Sequence, residues 1–186
     1  IYDQDIVITH TRDGDIKAFY NVCQHRGHKL VEGSGNRKLL VCPYHAWSYD
    51  LTGKLRAAPH SSKVPGFDAD RICLTEVHVE NFLGFVFINL DPDCASMDET
   101  FPGIREEMLA LCPDVEQRKY AYHHTADEGC NWFVAVENYN ECYHCGHCHP
   151  SFAKGIIDPA SYSIEPYQDL QVLHHTSEPT HSDDAW

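Results

Sequence analysis

Cys23-Gln24-His25-Arg26-Gly27 and Cys42-Pro43-Tyr44-His45-Ala46-Trp47 decide how this chain is read. They make a C-x-H pair, sixteen intervening residues, then a C-x-x-H pair. Turn formers flank both: Gly27, Gly33, Gly35 and Pro43. Working outward, each pair adjoins β-rich sequence. Ile6–Thr9 and Ile16–Val22 bracket the hairpin signal Asp13-Gly14, Leu39–Val41 leads into the second pair, and Tyr49–Gly53 carries a further turn before Leu55. Phe82–Leu90 is an apolar run of strand length. Short strands at about ten-residue spacing, punctuated by glycine turns, predict a small antiparallel β-sandwich.

After Asp91-Pro92-Asp93 the pattern changes. Met97–Leu111 reads as a helix, Lys119–Thr125 as a strand and Asn131 to about Tyr143 as a second helix. Beyond Pro150 the sequence predicts loops with one strand at Leu170–Leu173. The fold class expected is α+β: an all-β antiparallel sandwich over residues 1–93, followed by part of an α+β domain over 94–186.

Two Cys and two His in symmetric pairs suit a tetrahedral zinc. They suit equally a [2Fe–2S] cluster with both thiolates on one iron and both imidazoles on the other. Neutral imidazole makes such a cluster less electron-rich, raising its potential to roughly −150 to +300 mV from about −400 mV for an all-Cys plant-type cluster. Short loops emerging from strands, with glycines that let backbone N–H groups approach sulfide, favour iron and sulfur. A zinc finger instead normally carries its His pair on a helix.

Composition narrows the remaining classes. In 186 residues, 14 Lys and Arg face 28 Asp and Glu, for a net charge of −14. So acidic a chain is a poor ligand for nucleic acid or an anionic membrane, and no apolar run is long enough to span a bilayer. Nine Cys, an odd number, argue against a fully paired disulfide framework. With 14 His, they point to metal held by thiolates in a reducing compartment, the cytoplasm.

A second constellation lies in Asn131–Pro150, which contains Glu137-Asn138-Tyr139-Asn140-Glu141-Cys142-Tyr143-His144-Cys145-Gly146-His147-Cys148-His149-Pro150. Four residues separate His144 from His149. If the helix loosens near Gly146, both imidazoles face one ion. Two His and a carboxylate on one face of an octahedron leave three open positions, which suits non-haem Fe(II). His147, at i+3 from His144, is the competing ligand. Cys142, Cys145 and Cys148 read as neutral thiols near the iron, sensitive to oxidation.

The first constellation, extended through Leu51-x-Gly53-x-Leu55, resembles the cluster motif of the Rieske non-haem iron oxygenases. Asn131-Trp132, Glu137-Asn138-Tyr139, Glu141-x-x-His144 and His149-Pro150 resemble the mononuclear iron motif of the same family, in the same order. The resemblance implies Cys23, His25, Cys42 and His45 as ligands of a [2Fe–2S] Rieske cluster, and His144 and His149 as ligands of a mononuclear Fe(II). It implies electrons from NAD(P)H through a flavin/iron–sulfur reductase, O₂ and a small-molecule substrate, and a homotrimer with cross-subunit electron transfer. Glu141 stands where most of the family has Asp. The resemblance implies that it bridges His45 of one subunit to His144 of the next. Glu at this position resembles the subgroup that oxidises quaternary ammonium compounds such as carnitine and betaine.

The resemblance also makes this chain a portion of a longer catalytic subunit, with a segment before the sandwich and the third, carboxylate iron ligand beyond residue 186. Asp158, Asp169, Asp183 and Asp184 do not match that ligand's context. Three other readings compete. An aromatic-ring-hydroxylating oxygenase of the same family is disfavoured by Glu141. A Rieske electron carrier needs only the first constellation and leaves His144 and His149 unexplained. A zinc-stabilised binding protein predicts zinc and no acid-labile sulfide.

Overall fold

The computed structural model describes residues 3–167 and 172–179. It divides into two compact units, Ile1–Lys119 and Tyr120–Trp186. The first unit opens with β1 (Ile6–His10) and β2 (Ile16–Tyr20), which pair antiparallel across the Asp13-Gly14 turn. β3 (Leu39–Val41), β4 (Ser48–Asp50) and β5 (Leu55–Ala57) make a second antiparallel sheet. β6 (Glu76–Phe82) and β7 (Phe85–Asn89) return to the first, giving the order β1-β2-β6-β7. The expected antiparallel β architecture is present.

One apolar run conceals a hairpin. Phe82–Leu90 is not a single strand, because Leu83 and Gly84, both at positive φ, turn the chain so that Phe82 pairs with Phe85. Asn81 Oδ1 accepts the Gly84 N–H at 3.1 Å, which holds the turn. The preceding strand, β6, is not an apolar run; its residues Glu76–Glu80 alternate polar with apolar before Asn81 breaks the period.

The core draws on both sheets. Val7, Phe19, Leu40, Tyr49 and Leu55 pack with Leu30, Leu74 and the two motif cysteines, Cys23 and Cys42. Burying each large side chain contributes about 1.5–3 kcal/mol. Thr9 Oγ1 donates to the Leu51 carbonyl at 2.7 Å, tying β1 to the loop after β4. The two motif cysteines are thus built into the hydrophobic core.

Helices follow the strands. α1 (Met97–Thr100) begins with a capping box between Ser96 and Glu99, and α2 (Ile104–Leu111) follows. The sequence expectation of one helix over Met97–Leu111 is corrected here. Pro102 and Gly103 break it, since Pro102 has no N–H to donate and Gly103 adopts φ 90°. The Met97 N–H donates to Glu80 at 2.9 Å, and the Arg105 guanidinium lies 4.5 Å from the Phe82 ring. These contacts tie both helices to the β6–β7 hairpin, so the compact unit continues past the change of pattern at residue 93.

The second unit holds α3 (Trp132–Tyr139), α4 (Cys145–Cys148), α5 (Pro150–Gly155) and the hairpin β8 (Ser163–Tyr167) with β9 (Val172–Thr176). Lys119–Thr125, expected as a strand, has no regular structure; β-type residues alone do not make a strand without a pairing partner. Of the strand expected at Leu170–Leu173, residues 172 and 173 open β9, and Leu170 and Gln171 lie outside the described residues. Among the described residues no helix is long and apolar enough to cross a membrane.

Candidate metal centres

The two loops of the first constellation share one backbone design. The Cys23 N–H donates to the His28 carbonyl and the Gly27 N–H to the Cys23 carbonyl, at 2.8 and 2.9 Å. The Cys42 N–H donates to the Trp47 carbonyl and the Ala46 N–H to the Cys42 carbonyl, at 2.8 and 3.0 Å. Each cysteine therefore closes a tight turn through its own N–H and C=O. Gly27 and Ala46 occupy matching left-handed positions, φ 69° and 58°. Glycine is at ease there; alanine holds that conformation at a cost of about 1–2 kcal/mol.

Burial orients the donor set. Cys23 and Cys42 are each 2% exposed, whereas His25 and His45 lie on the surface. The two imidazoles meet edge-on with ring centroids 4.7 Å apart. Trp47 stacks on His25 at 4.7 Å, and Tyr44 covers His45 at 3.8 Å. His45 is held below the ordinary histidine value, first by desolvation and then by the neighbouring His25, Arg26 and His28 side chains. A lowered value favours the neutral ring that a metal requires.

Tyr49 and Asn21 complete this centre, and the sequence reading gave neither a role. The Tyr49 hydroxyl accepts the Gln24 N–H at 3.1 Å and lies 3.3 Å from Cys23 Sγ, with both side chains buried. Burial, then the hydrogen bond with Cys23, pushes the phenol above its ordinary value, so it keeps its proton. A thiolate at Cys23 can only accept, so with the cluster bound the phenol would donate to sulfur. Asn21 accepts the Leu30 and Val31 N–H groups at 3.1 Å and donates to the Val31 carbonyl at 2.8 Å, pinning the return of the first loop. Both contacts join residues distant in sequence, so no local motif announces them.

In the second constellation the chain leaves its helix early. Asn131 caps α3 by accepting the Phe133 N–H, but the helix ends at Tyr139 rather than near Tyr143 as expected. The Glu141 carboxylate explains the break. It accepts the Tyr143 N–H at 2.5 Å and bonds to His144 Nδ1, drawing the backbone into a turn that competes with helix. Glu141 is held below the ordinary carboxylate value, above all by its bond to His144. α4 then runs only one turn before Pro150, at the first position of α5, restarts the chain. Across that joint the His149 ring meets the His144 ring edge-on, centroids 5.1 Å apart. His147 lies exposed on α4.

The cysteines here are not all free thiols. Cys142 and Cys145 form a disulfide, which corrects the reading of three neutral thiols, and Cys148 remains free and exposed. Of the carboxylates weighed as a third iron ligand, Asp158 caps the turn at Pro159–Ser161 by accepting the Ala160 N–H. Asp169, Asp183 and Asp184 lie outside the described residues.

The donor chemistry fits the groups the motifs imply. Among the described residues no three metal-binding side chains converge on one ion. A zinc held by all four of Cys23, His25, Cys42 and His45 would need such convergence. A two-iron cluster needs only two protein donors per iron, because bridging sulfides supply the rest, and here the thiols lie inside and the imidazoles outside. At His144, the bond from Nδ1 to Glu141 leaves Nε2 free to bind a metal in the carboxylate–histidine–metal arrangement.

Comparison with known proteins finds the two domains that carry such groups. Residues 1–68 match the family model of the Rieske [2Fe-2S] domain, and residues 115–185 that of the ring hydroxylating alpha subunit (catalytic domain). These domains imply a Rieske cluster in the first unit and a mononuclear iron in the second. The chain is 43% identical over 157 residues to the carnitine monooxygenase oxygenase subunit of Escherichia coli, covering 84% of this chain and 42% of that protein. It is 34% identical over 154 residues to the glycine betaine monooxygenase oxygenase subunit of Pseudomonas aeruginosa, covering 82% and 35%. A solved quaternary ammonium Rieske monooxygenase, described for carnitine oxidation and inter-subunit electron transfer, superposes with a TM-score of 0.81 at 38% identity, covering 89% of this chain and 45% of that one. The chain spans less than half the length of the curated relatives it matches.

Proposed function

The chain belongs to the Rieske non-haem iron oxygenases, and on that premise we propose that its subunit is the terminal oxygenase of a quaternary ammonium monooxygenase system. Carnitine or a betaine is the substrate class, and a flavin/iron–sulfur reductase supplies electrons from NAD(P)H. The observation that carries the reading is the bond between Glu141 and His144 Nδ1 beside the His149 ring. A pure electron carrier has no use for it.

When bound, the cluster passes electrons one at a time and the mononuclear iron activates O₂. The residues of the chain set the stage for both. Cys23 and Cys42 would hold the cluster from the core side and His25 and His45 from the surface side. Glu141 keeps the His144 proton on Nδ1 and so fixes tautomer and ring orientation. Its side chain is 42% exposed, leaving lone pairs for an imidazole of another copy. We assign that partner as His45 of a neighbouring subunit in a homotrimer, since head-to-tail contacts close into a ring. A carboxylate from the same subunit completes the iron ligands with His144 and His149. The cytoplasm suits the assembly, because Cys23 and Cys42 stay reduced there.

The reaction inserts one atom of O₂ into a C–H bond next to nitrogen, while two electrons and two protons carry the other atom to water. The carbinolamine so formed collapses to an amine and an aldehyde, breaking the C–N bond. Mass spectrometry of products from the complete subunit, a reductase, NADH and ¹⁸O₂ tests this with carnitine, glycine betaine, choline and aromatic acids. Oxygen-dependent C–N cleavage of a quaternary amine is expected. An ¹⁸O-labelled phenol or diol, with the quaternary amines untouched, would overturn the substrate class.

A further inference from the structure

The Cys142–Cys145 disulfide closes a ring around Tyr143 and His144. Those residues supply both groups that Glu141 binds, the Tyr143 N–H and His144 Nδ1. The segment between the end of α3 and the start of α4 has no other regular structure. Its other ties are backbone bonds to the flanking helices, from the Asn140 N–H to the Val136 carbonyl and from the His147 and Cys148 N–H groups to the His144 carbonyl, together with the Cys145 N–H to the Cys142 carbonyl at 3.1 Å and Tyr162 Oη to the Asn140 carbonyl at 3.3 Å. The covalent link therefore lies on the joint that sets where His144 points.

A disulfide this short does little for the fold as a whole. Stabilisation through the unfolded chain grows with the loop enclosed, and a separation of three residues encloses almost nothing. Its effect is local. The two sulfurs also differ in access: Cys145 is 6% exposed, while Cys142 is only half-buried and open to a small reagent. The Cα atoms of the closed pair stand 4.9 Å apart, within the range that a disulfide spans.

We propose that Cys142 and Cys145 are a redox-active pair whose disulfide, formed by a peroxide and opened by a dithiol, controls the Glu141–His144 contact. The proposal rests on the reading of Glu141 and His144 as part of the iron site. In the closing step the Cys142 sulfur attacks a peroxide oxygen and the O–O bond breaks. One oxygen stays on sulfur as a sulfenic acid and the other leaves as water. The Cys145 sulfur then attacks Cys142, the S–S bond forms, the S–O bond breaks and a second water leaves. Two electrons pass from the thiols to the peroxide, and both thiol protons end in water. In the opening step a dithiol attacks the Cys142 sulfur, forms a mixed disulfide, and closes its own disulfide as both cysteines regain protons. The ring then no longer confines Tyr143 and His144, and the turn rests on hydrogen bonds, those to Glu141 and that from the Cys145 N–H to the Cys142 carbonyl.

The test uses the complete, iron-loaded subunit under anaerobic handling. It is treated with hydrogen peroxide or with dithiothreitol, trapped with iodoacetamide, digested and analysed by mass spectrometry. The proposal predicts a peptide linked through Cys142 and Cys145 after peroxide, and both residues alkylated after dithiothreitol. Cys148→Ser should leave this cycle intact, and either Cys142→Ser or Cys142→Ala should abolish it. The EPR signal of the nitric oxide adduct of the ferrous iron should shift between the two states and return on re-oxidation. Full alkylation of Cys142 and Cys145 after peroxide, or a link from either to Cys148 instead, would overturn the pair. A reversible disulfide with an unchanged EPR signal would overturn its control of the iron site. Absence of bound iron in both states would instead refute the proposed function, and the trapping result would still decide whether the pair is redox-active.

Discussion

Gly53→Ala is the substitution whose cost the structure lets one work out most fully. Gly53 turns the hairpin between β4 and β5 at φ 82°, and its carbonyl accepts the Leu74 N–H at 2.8 Å. A Cβ there would lie 2.5 Å from Phe19 Cε1, 2.9 Å from Cζ and 3.2 Å from Cδ1. Carbon atoms prefer about 3.5–4.0 Å, so the ring or the hairpin must shift by about 1 Å. Phe19 is fully buried and has nowhere to go. Overpacking of this kind costs about 1–3 kcal/mol, and the left-handed backbone a further 1–2 or so. The smaller entropy of unfolded alanine returns about 0.5–1 kcal/mol. The net loss is about 1–4 kcal/mol, a Tm lower by roughly 2–15 °C for a chain of this size. Thermal melts followed by visible circular dichroism of the cluster measure it directly. Phe19→Leu combined with Gly53→Ala should cost less than the sum of the two singly, because the smaller side chain yields the space. A shift under about 2 °C for Gly53→Ala, or strict additivity in the pair, would refute the packing argument.

Three further outcomes are expected. Tyr49→Phe removes the hydroxyl aimed at Cys23 Sγ; a hydrogen bond that favours the reduced cluster by about 1 kcal/mol corresponds to roughly 40 mV in a one-electron couple, so the midpoint potential should fall by about that amount in a redox titration, and an unchanged potential would remove Tyr49 from the cluster's surroundings. Asp50→Asn weakens the bonds that Asp50 accepts from Thr52, Lys54 and Arg56, and urea melts should show a loss of roughly 1–3 kcal/mol at neutral pH. Burial alone would raise the Asp50 value, but those bonds overcome it and hold the carboxyl below the ordinary 3.8, so its contribution is present above that value and lost as pH falls through the lowered one. The variant's stability should accordingly vary less with pH than the parent's on the acid side of 3.8, and parallel curves there would contradict the assignment. Glu141→Gln keeps the shape but not the charge that holds the His144 proton; both metals should remain bound while turnover falls about 10–100-fold, and undiminished steady-state activity would take Glu141 out of the electron path.

What could be read in advance was local. The C-x-H and C-x-x-H pairs, the Asp13-Gly14 turn and the Glu141-x-x-His144 spacing are short-range patterns, and the structure keeps each within a single loop. The features that escaped depend on distant partners or on side chains competing with backbone. Tyr49 reaches Cys23 across 26 positions, and Asn21 reaches Leu30 and Val31 from outside the motif. β6 was legible in part, since Glu76–Glu80 alternate polar with apolar residues, but its place between β2 and β7 was not. The second helix stops short of Tyr143 because the Glu141 carboxylate takes the Tyr143 N–H into a local turn instead of leaving it to a helical carbonyl. The Cys142–Cys145 bond was hidden for a related reason: a cysteine spacing suggests a pair but does not say whether metal, sulfur or nothing claims it.

Iron and acid-labile sulfide analysis of the complete subunit, joined to nitrogen ENDOR on its dithionite-reduced form, tests the central claim most directly. The account predicts about three irons and about two sulfides per subunit, with two imidazole nitrogens coupled to the reduced cluster. That coupling should be lost with the cluster in His45→Ala. Zinc without sulfide, or a reduced cluster coupled to no histidine nitrogen, would contradict it.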